Sequence, residues 1–355
     1  MTASIESAPS ASGRDKGTMT TGRGLGEDAF AYHGGALDVA RRLFPHAPEP
    51  WIDLSTGVNP HPYPLPELAP EAWTRLPEAA ALAKLEAAAA ARYGARSEQV
   101  IAGPGSQALI QTIARLARNE AVGVMRGAYS GHADAFRGAG TEAVECERLD
   151  DLAHFNVAIV ANPNNPDGRM SPLAELLRLQ ERVSCEGGLL IVDEAFADFG
   201  DAPSLAPVLP AYGAVVLRSF GKTYGLAGVR LGFAIASPDM EKKLRAALGP
   251  WPVSGPALAV GTKALADAAW IDEMRLRLPR DAARLDALLT AAGWRNIGGT
   301  RLFRLAAKND APAAFRRLLA AGILIRPFAH APDRLRFGLP GQEAQWLRLE
   351  AALRR

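Results

Sequence analysis

The sequence predicts an α/β fold: a mostly parallel sheet covered on both faces by helices, followed by a smaller α+β domain. Three observations predict it. Apolar runs of strand length recur near residues 100, 121, 157, 188 and 214 with helical stretches between them, the pattern of parallel strands joined by crossovers. Those runs are apolar almost throughout rather than alternating, as strands buried on both faces are. The chain, at 355 residues, is also too long for one small core and suits a large domain with a companion.

Residues 1–27 are rich in Ser, Thr, Gly and Ala without an apolar core, so they are expected to be a disordered tail rather than a secretory signal or a membrane span. Residues 28–50 read as an N-terminal arm. Within it, His33 precedes Gly34 and Gly35, which lets the histidine approach a ligand closely or leaves it as a solvated imidazole. Leu37, Val39, Ala40, Leu43 and Phe44 follow at helical spacing before a Pro-rich break over 45–50. The large domain is expected over 51–250. It opens with a strand over 51–55, and the Gly57-Val58-Asn59-Pro60 turn then holds Asn59 in one direction.

An alanine-rich helix is predicted over 76–93, with Pro77 near its start, where a missing N–H costs nothing. The strand over 100–103 passes through Gly105-Ser106-Gln107 into a helix over 108–117. Such a junction aims backbone N–H groups at a phosphate, although glycine also serves there for purely steric reasons. After the strand over 121–125, Tyr129 offers a flat face and His132 a polar edge. That pair suits an aromatic cofactor, or Tyr129 simply packs. The strand over 157–160 delivers Asn162-Pro163-Asn164-Asn165-Pro166-Asp167-Gly168, a rigid loop that displays amides.

The run over 188–192 ends on Asp193-Glu194-Ala195-Phe196. The carboxyl ends of strands face the ligand crevice in open α/β sheets, so Asp193 either meets a ligand or caps the next turn. The strand over 214–218 leads into Ser219-Phe220-Gly221-Lys222-Thr223-Tyr224-Gly225, which continues to Arg230 and Gly232. Glycines at 221, 225, 228 and 232 leave space around Lys222. A partly desolvated lysine amine suits Schiff-base chemistry with a carbonyl, and Ser219 and Arg230 are placed to grip an anion.

A helix over 240–248 and the break Gly249-Pro250-Trp251-Pro252 separate the two domains, so the smaller one is expected over 251–355. It reads as helices over 257–269 and 272–291 and strands over 302–305, 323–326 and 335–337. Arg326 and Arg336 fall near strand ends, where they can clamp a doubly anionic substrate or pair with local acids. Forty basic against 38 acidic residues leave a formal charge of +2, too weak a field for nucleic acid or a membrane surface, so a small-molecule partner is expected. Cys146 and Cys185 lack metal-ligand spacing and fit a reducing, cytoplasmic compartment, and no metal site is expected.

Taken together, the N-P-N-N-P-D-G loop, the D-E-A-F strand end and the S-F-G-K-T-Y-G-L-A-G-V-R-L-G segment resemble the fold-type I aminotransferase superfamily, from about residue 30 to the C-terminus. The resemblance implies a seven-stranded sheet in the large domain, a homodimer and the cofactor pyridoxal 5′-phosphate. It further implies that Lys222 carries the cofactor through a Schiff base and moves protons, and that Asp193 pairs with the pyridinium nitrogen. Asn165 would bond the phenolic oxygen and Tyr129 stack on the ring, while Ser219, Arg230 and the N–H groups of Gly105 and Ser106 hold the phosphate. Arg336 would take the substrate carboxylate, with His33, Asn59 and Arg326 as further substrate contacts. The H-G-G, D-E-A-F and I-L-I-R segments are most similar to the branch that decarboxylates L-threonine O-3-phosphate for the cobalamin side chain. Transamination of histidinol phosphate or a similar phosphorylated amino acid is the alternative. Two departures stand out: Phe196 occupies a position where most aminotransferases have a tyrosine that touches the ring oxygen, and Leu76-Pro77 occurs where relatives often have Tyr-Pro reaching the neighbouring subunit.

Overall fold

The computed structural model describes residue 30, residues 33–200 and residues 203–354, so the predicted tail lies outside the described residues. In chain order the strands are β1 (Ile52–Asp53), β2 (Val100–Gly103), β3 (Val122–Met125), β4 (Ala143–Cys146), β5 (Val157–Ala161), β6 (Leu189–Asp193), β7 (Ala214–Arg218), β8 (Gly232–Ala236), β9 (Arg295–Thr300), β10 (Phe303–Ala307), β11 (Ile323–Leu324), β12 (Arg326–Pro327) and β13 (Arg334–Gly338). Seven of them form one sheet in the order β2-β8-β7-β6-β5-β3-β4. From β7 to β4 every pair is parallel, and β8 lies antiparallel between β7 and β2.

Every residue of β5, β6, β7 and β8 is buried, which is why these segments read as unbroken apolar runs. Successive side chains point to opposite faces. Leu190, Val192 and Val216 accordingly enter one core with Leu85 and Leu176, while Ile191, Val215 and Leu217 enter the other with Leu109, Ile113 and Leu244. Each such side chain stabilises the fold by about 1.5–3 kcal/mol through burial. Two strands of this sheet escaped the sequence pattern. The edge strand β4 is short and half exposed, and β8 begins on the last glycine of the Lys222 segment.

The smaller part is the antiparallel sheet β12-β13-β10-β9, packed beneath the helix Ala268–Ala291. Its limits differ from those expected. Ile52 and Asp53, expected to open the large domain, pair in parallel with Ile323 and Leu324. The helix Gly255–Ala266, expected in the small domain, packs on the helix Ala79–Tyr93 of the large one. The chain crosses at Asp267, whose Oδ1 accepts the Trp270 N–H at 3.0 Å and caps the next helix.

The loop over 162–168 meets β9 backbone to backbone. A Cβ on Gly168 would stand 1.9 Å from the Gly299 carbonyl oxygen, and one on Gly298 would stand 2.2 Å from the Asp167 carbonyl oxygen. Both described cysteines are free. Among the described residues, no helix is long and apolar enough to cross a membrane, and no cluster of His, Cys, Asp and Glu could hold a metal ion.

Candidate active site

Parallel strands that end in register bring the residues following them to one edge of the sheet. Here β5, β6 and β7 end at Ala161, Asp193 and Arg218, and a cavity of about 430 Å³ opens between that edge and the small sheet. Gly105, Ser106, Tyr129, Asn165, Asp193, Ser219, Lys222 and Arg230 line it from the large domain, His33 from the N-terminal arm, and Arg326 and Arg336 from the small sheet. Asn59 is not brought to the cavity. Its side chain is buried, donates to the Thr223 carbonyl at 2.9 Å and accepts from the His61 N–H at 3.0 Å, so it fastens the Lys222 segment from behind.

Lys222 sits in the short helix Phe220–Thr223 with its Nζ 4.2 Å from the centroid of the Phe196 ring. Burial pushes its pKa down, Asp193 draws it partly back, and the Arg336 charge lowers it further. Asp193 is also buried. Burial pushes its carboxyl up, but the His132 hydrogen bond, the His132 and Lys222 charges and the Ala195 N–H together hold it below the usual range. The geometry is direct: His132 Nε2 lies 3.0 Å from Asp193 Oδ2, and the Ala195 N–H donates to Oδ1 at 3.0 Å. His132 therefore stands behind Asp193, rather than offering its own edge to the ligand. Asp193 remains an anion at the floor of the cavity, next to an amine biased toward neutrality.

An anion cradle lies on the large-domain side. Gly105 has φ +96° and begins the helix Ser106–Leu116, but its N–H donates to the Gly103 carbonyl at 2.7 Å. That N–H was expected to face a phosphate; the tight turn onto Gly103 takes it. The N–H groups of Ser106 and Gln107 head the helix instead. Arg230 approaches so closely that a Cβ on Gly105 would lie 2.8 Å from its Nη2, and a Cβ on Gly232 would lie 2.4 Å from the Ser106 nitrogen. Gln107, which sequence reasoning did not single out, accepts the Tyr129 hydroxyl on Oε1 at 3.0 Å and so fixes the tilt of that ring.

A second cationic site faces it. Arg326 and Arg336 are register partners across β12 and β13, which sets two positive charges side by side. Arg336 is buried and donates to Asn165 Oδ1 and the Ser55 carbonyl, while its Nε has no hydrogen-bond partner. Burial, reinforced by the Arg326 charge, pushes its pKa down to about 9 against the opposing pull of Asp53 and Tyr129. A guanidinium keeps its proton in proteins, so this pull expresses a lack of negative charge that an anionic ligand would supply.

Beneath the site lies a buried ionic cluster. Arg218 donates to Glu194 Oε2 at 2.7 Å and to Asp198 Oδ1 at 3.1 Å, and Asp198 Oδ2 accepts the Thr223 hydroxyl. The Leu205 N–H and the Ser204 hydroxyl complete the partners of Glu194. The cluster joins the strand end that carries Asp193 to the helix that carries Lys222. It holds both groups without touching the ligand space.

Residues 49–352 match the model of the aminotransferase class I and II family. The chain is 44% identical over 324 residues to a threonine-phosphate decarboxylase of Pseudomonas aeruginosa, covering 90% of this chain and 96% of that protein. It is 42% identical over 333 residues to a threonine-phosphate decarboxylase of a Sinorhizobium species, covering 91% and 97%. Among solved structures, a histidinol-phosphate aminotransferase of Sinorhizobium meliloti in complex with pyridoxal-5′-phosphate is similar with a TM-score of 0.77 at 22% identity, covering 95% of this chain and 98% of that one.

Proposed function

The chain belongs to the aminotransferase class I and II family, and from that premise we propose that it binds pyridoxal 5′-phosphate and decarboxylates L-threonine O-3-phosphate to (R)-1-aminopropan-2-yl phosphate, a precursor of the cobalamin side chain. The observation that carries the reading is a cavity lined by one half-buried lysine and by two cationic sites. Arg230 and the N–H groups at the start of the helix Ser106–Leu116 form one, and Arg326 and Arg336 form the other. A substrate with a carboxylate and a phosphate, held beside a cofactor with its own phosphate, needs that distribution of charge.

The residues fit the cofactor. Gly105 and Gly232 leave the space of a phosphate cradle that a Cβ would close, Lys222 supplies a half-buried amine of lowered pKa, and Asp193 supplies an anion held by His132. When bound, the cofactor supplies an electron sink for the bond broken at Cα. The protein does the rest. Asp193 would hold the proton of the pyridine nitrogen, Tyr129, whose hydroxyl donates to Gln107, would cover the ring, and Asn165, whose Oδ1 accepts from Arg336, would offer its amide nitrogen to the phenolic oxygen. Phe196 adds no hydrogen bond there and covers the Lys222 amine with its ring. Arg336 takes the substrate carboxylate, and Arg326 with His33 takes the phosphate. Holding the substrate at both ends would fix which bond at Cα is presented for cleavage. Lys222 Nζ would carry the proton that Cα takes up in place of the carboxylate.

The same reading carries a cytoplasmic homodimer. Free cysteines support a reducing compartment, and the exposed side chains of Leu65, Trp73, Leu76 and Trp251 support a face covered by a second subunit. The deciding experiment is product analysis with L-threonine O-3-phosphate and no keto acid. Carbon dioxide and an amino-alcohol phosphate are expected in equal amounts. A keto acid with pyridoxamine phosphate and no carbon dioxide would replace this reading with transamination.

A further inference from the structure

We propose that His330 is a specificity-determining residue that binds the substrate's phosphate from the small-domain rim, an inference that rests on the reaction proposed above. His330 lies in the hairpin between β12 and β13, the same hairpin whose strands carry Arg326 and Arg336. The turn has a definite shape: the Ala331 N–H donates to the Phe328 carbonyl at 3.2 Å, and the Arg334 N–H donates to the Ala331 carbonyl at 3.0 Å. Its apex is held to the body of the small domain, where the Lys308 N–H donates to the Asp333 carbonyl at 2.9 Å.

Within that hairpin Phe328 acts as a spacer between two donors. Arg326 Cζ lies 5.6 Å from the Phe328 ring centroid, and the His330 ring packs edge-on against Phe328 at 5.8 Å. All three line the cavity, as does His33 on the facing rim. Arg336 is a different kind of site. It is fully buried, tied to Asn165 and the Ser55 carbonyl, and suited to a small planar carboxylate deep in the cavity. His330 is exposed and lines the same cavity as the donors Arg326 and His33. A tetrahedral phosphate with three acceptor oxygens can meet such donors from several directions at once, which a carboxylate cannot. An imidazole N–H donates to it in either protonation state.

The sequence gives no outward sign of this role. His330 lies in Phe328-Ala329-His330-Ala331-Pro332, without a motif, and only the hairpin brings it beside Arg326. The test compares the holoenzyme with His330→Ala and His330→Gln. His330→Ala is expected to raise KM for L-threonine O-3-phosphate about tenfold with a smaller effect on kcat. The Ki of inorganic phosphate should rise by a similar factor, and His330→Gln, which keeps an N–H donor, should restore part of both. Affinity for L-threonine, which has no phosphate, should hold within about twofold, because a rim residue that reads only the phosphate leaves the carboxylate contact intact. Equal losses for L-threonine and its phosphate ester, or an unchanged Ki for inorganic phosphate, would overturn the assignment. If the wild-type protein does not turn over the phosphate ester at all, the proposed reaction fails, yet inorganic phosphate binding to the wild-type and variant holoenzymes still decides whether His330 forms a phosphate site.

Discussion

Replacing Arg218 with methionine tests the support of the site rather than its chemistry. Arg218 is 5% exposed and bonds two buried carboxylates, at 2.7 Å and 3.1 Å. Methionine fills much of the same volume without a charge, so Glu194 would stay buried opposite no guanidinium, while Asp198 would keep only Arg92, whose Nη2 lies 3.4 Å from its Oδ1. Breaking a buried pair by removing one partner costs about 3–5 kcal/mol. That is a large part of the roughly 5–15 kcal/mol by which a domain is stable. The pH dependence separates this cause from simple misfit. In the wild-type fold, burial raises the Glu194 pKa and Arg218 is the largest opposing influence. Losing Arg218 raises it further. A carboxyl whose folded pKa lies above its unfolded value binds more protons when folded, so it favours the folded state in acid and loses that contribution as pH rises through the folded pKa. The variant's deficit should therefore be smaller near about pH 5 than near about pH 8, read from urea midpoints by far-ultraviolet circular dichroism. Adding Glu194→Gln should recover part of the loss, because the two residues are in contact. A deficit that does not vary with pH, or that grows in acid, would show that lost packing, and not the uncompensated Glu194 carboxylate, is the cause.

Two further outcomes bear on the cavity itself. Lys222→Ala should abolish the imine absorbance that added pyridoxal 5′-phosphate gains on binding, and in the wild-type apoprotein the rate of cofactor capture should reach its plateau below the ordinary lysine range, since burial depresses the amine pKa. A rate still climbing through about pH 10 would contradict that depression. Arg336→Ala should weaken L-threonine O-3-phosphate by about 2–5 kcal/mol while changing cofactor affinity far less, measured by KM against spectral titration. Equal losses of cofactor and substrate would move Arg336 out of the substrate site.

What the sequence made legible follows from what is local in the chain. Lys222, Asp193 and Asn165 each follow an apolar strand within a few residues, so the topology of a parallel sheet suffices to predict that they converge. Their partners are another matter. His132 and Asp193 are 61 residues apart and Arg336 and Asn165 are 171 apart, and no spacing rule links such pairs. Gly105 shows a finer limit: the motif identifies the turn, while only coordinates reveal that its N–H is taken by the Gly103 carbonyl at 2.7 Å. Asn59 was legible as a directed side chain but not as to what it is directed at. Both of its bonds run to main-chain atoms, those of Thr223 and His61. The domain limit moved for a similar reason, because proline and glycine near residue 250 mark a break in helix but not the surface on which the next helix packs.

The seam between Gly168 and Gly298-Gly299 acts as a fixed ruler across the cleft. Most walls of a binding cavity touch through side chains, and their separation drifts by an ångström or more as those side chains change over generations. Here main chain rests on main chain, with no Cβ to vary at the points of closest approach. The distance between the loop that bears Asn165 and the sheet that bears Arg336 is thereby insulated from sequence drift. Substrate preference in this scaffold can change by altering which groups stand on the two walls, while the gap that they span stays the same.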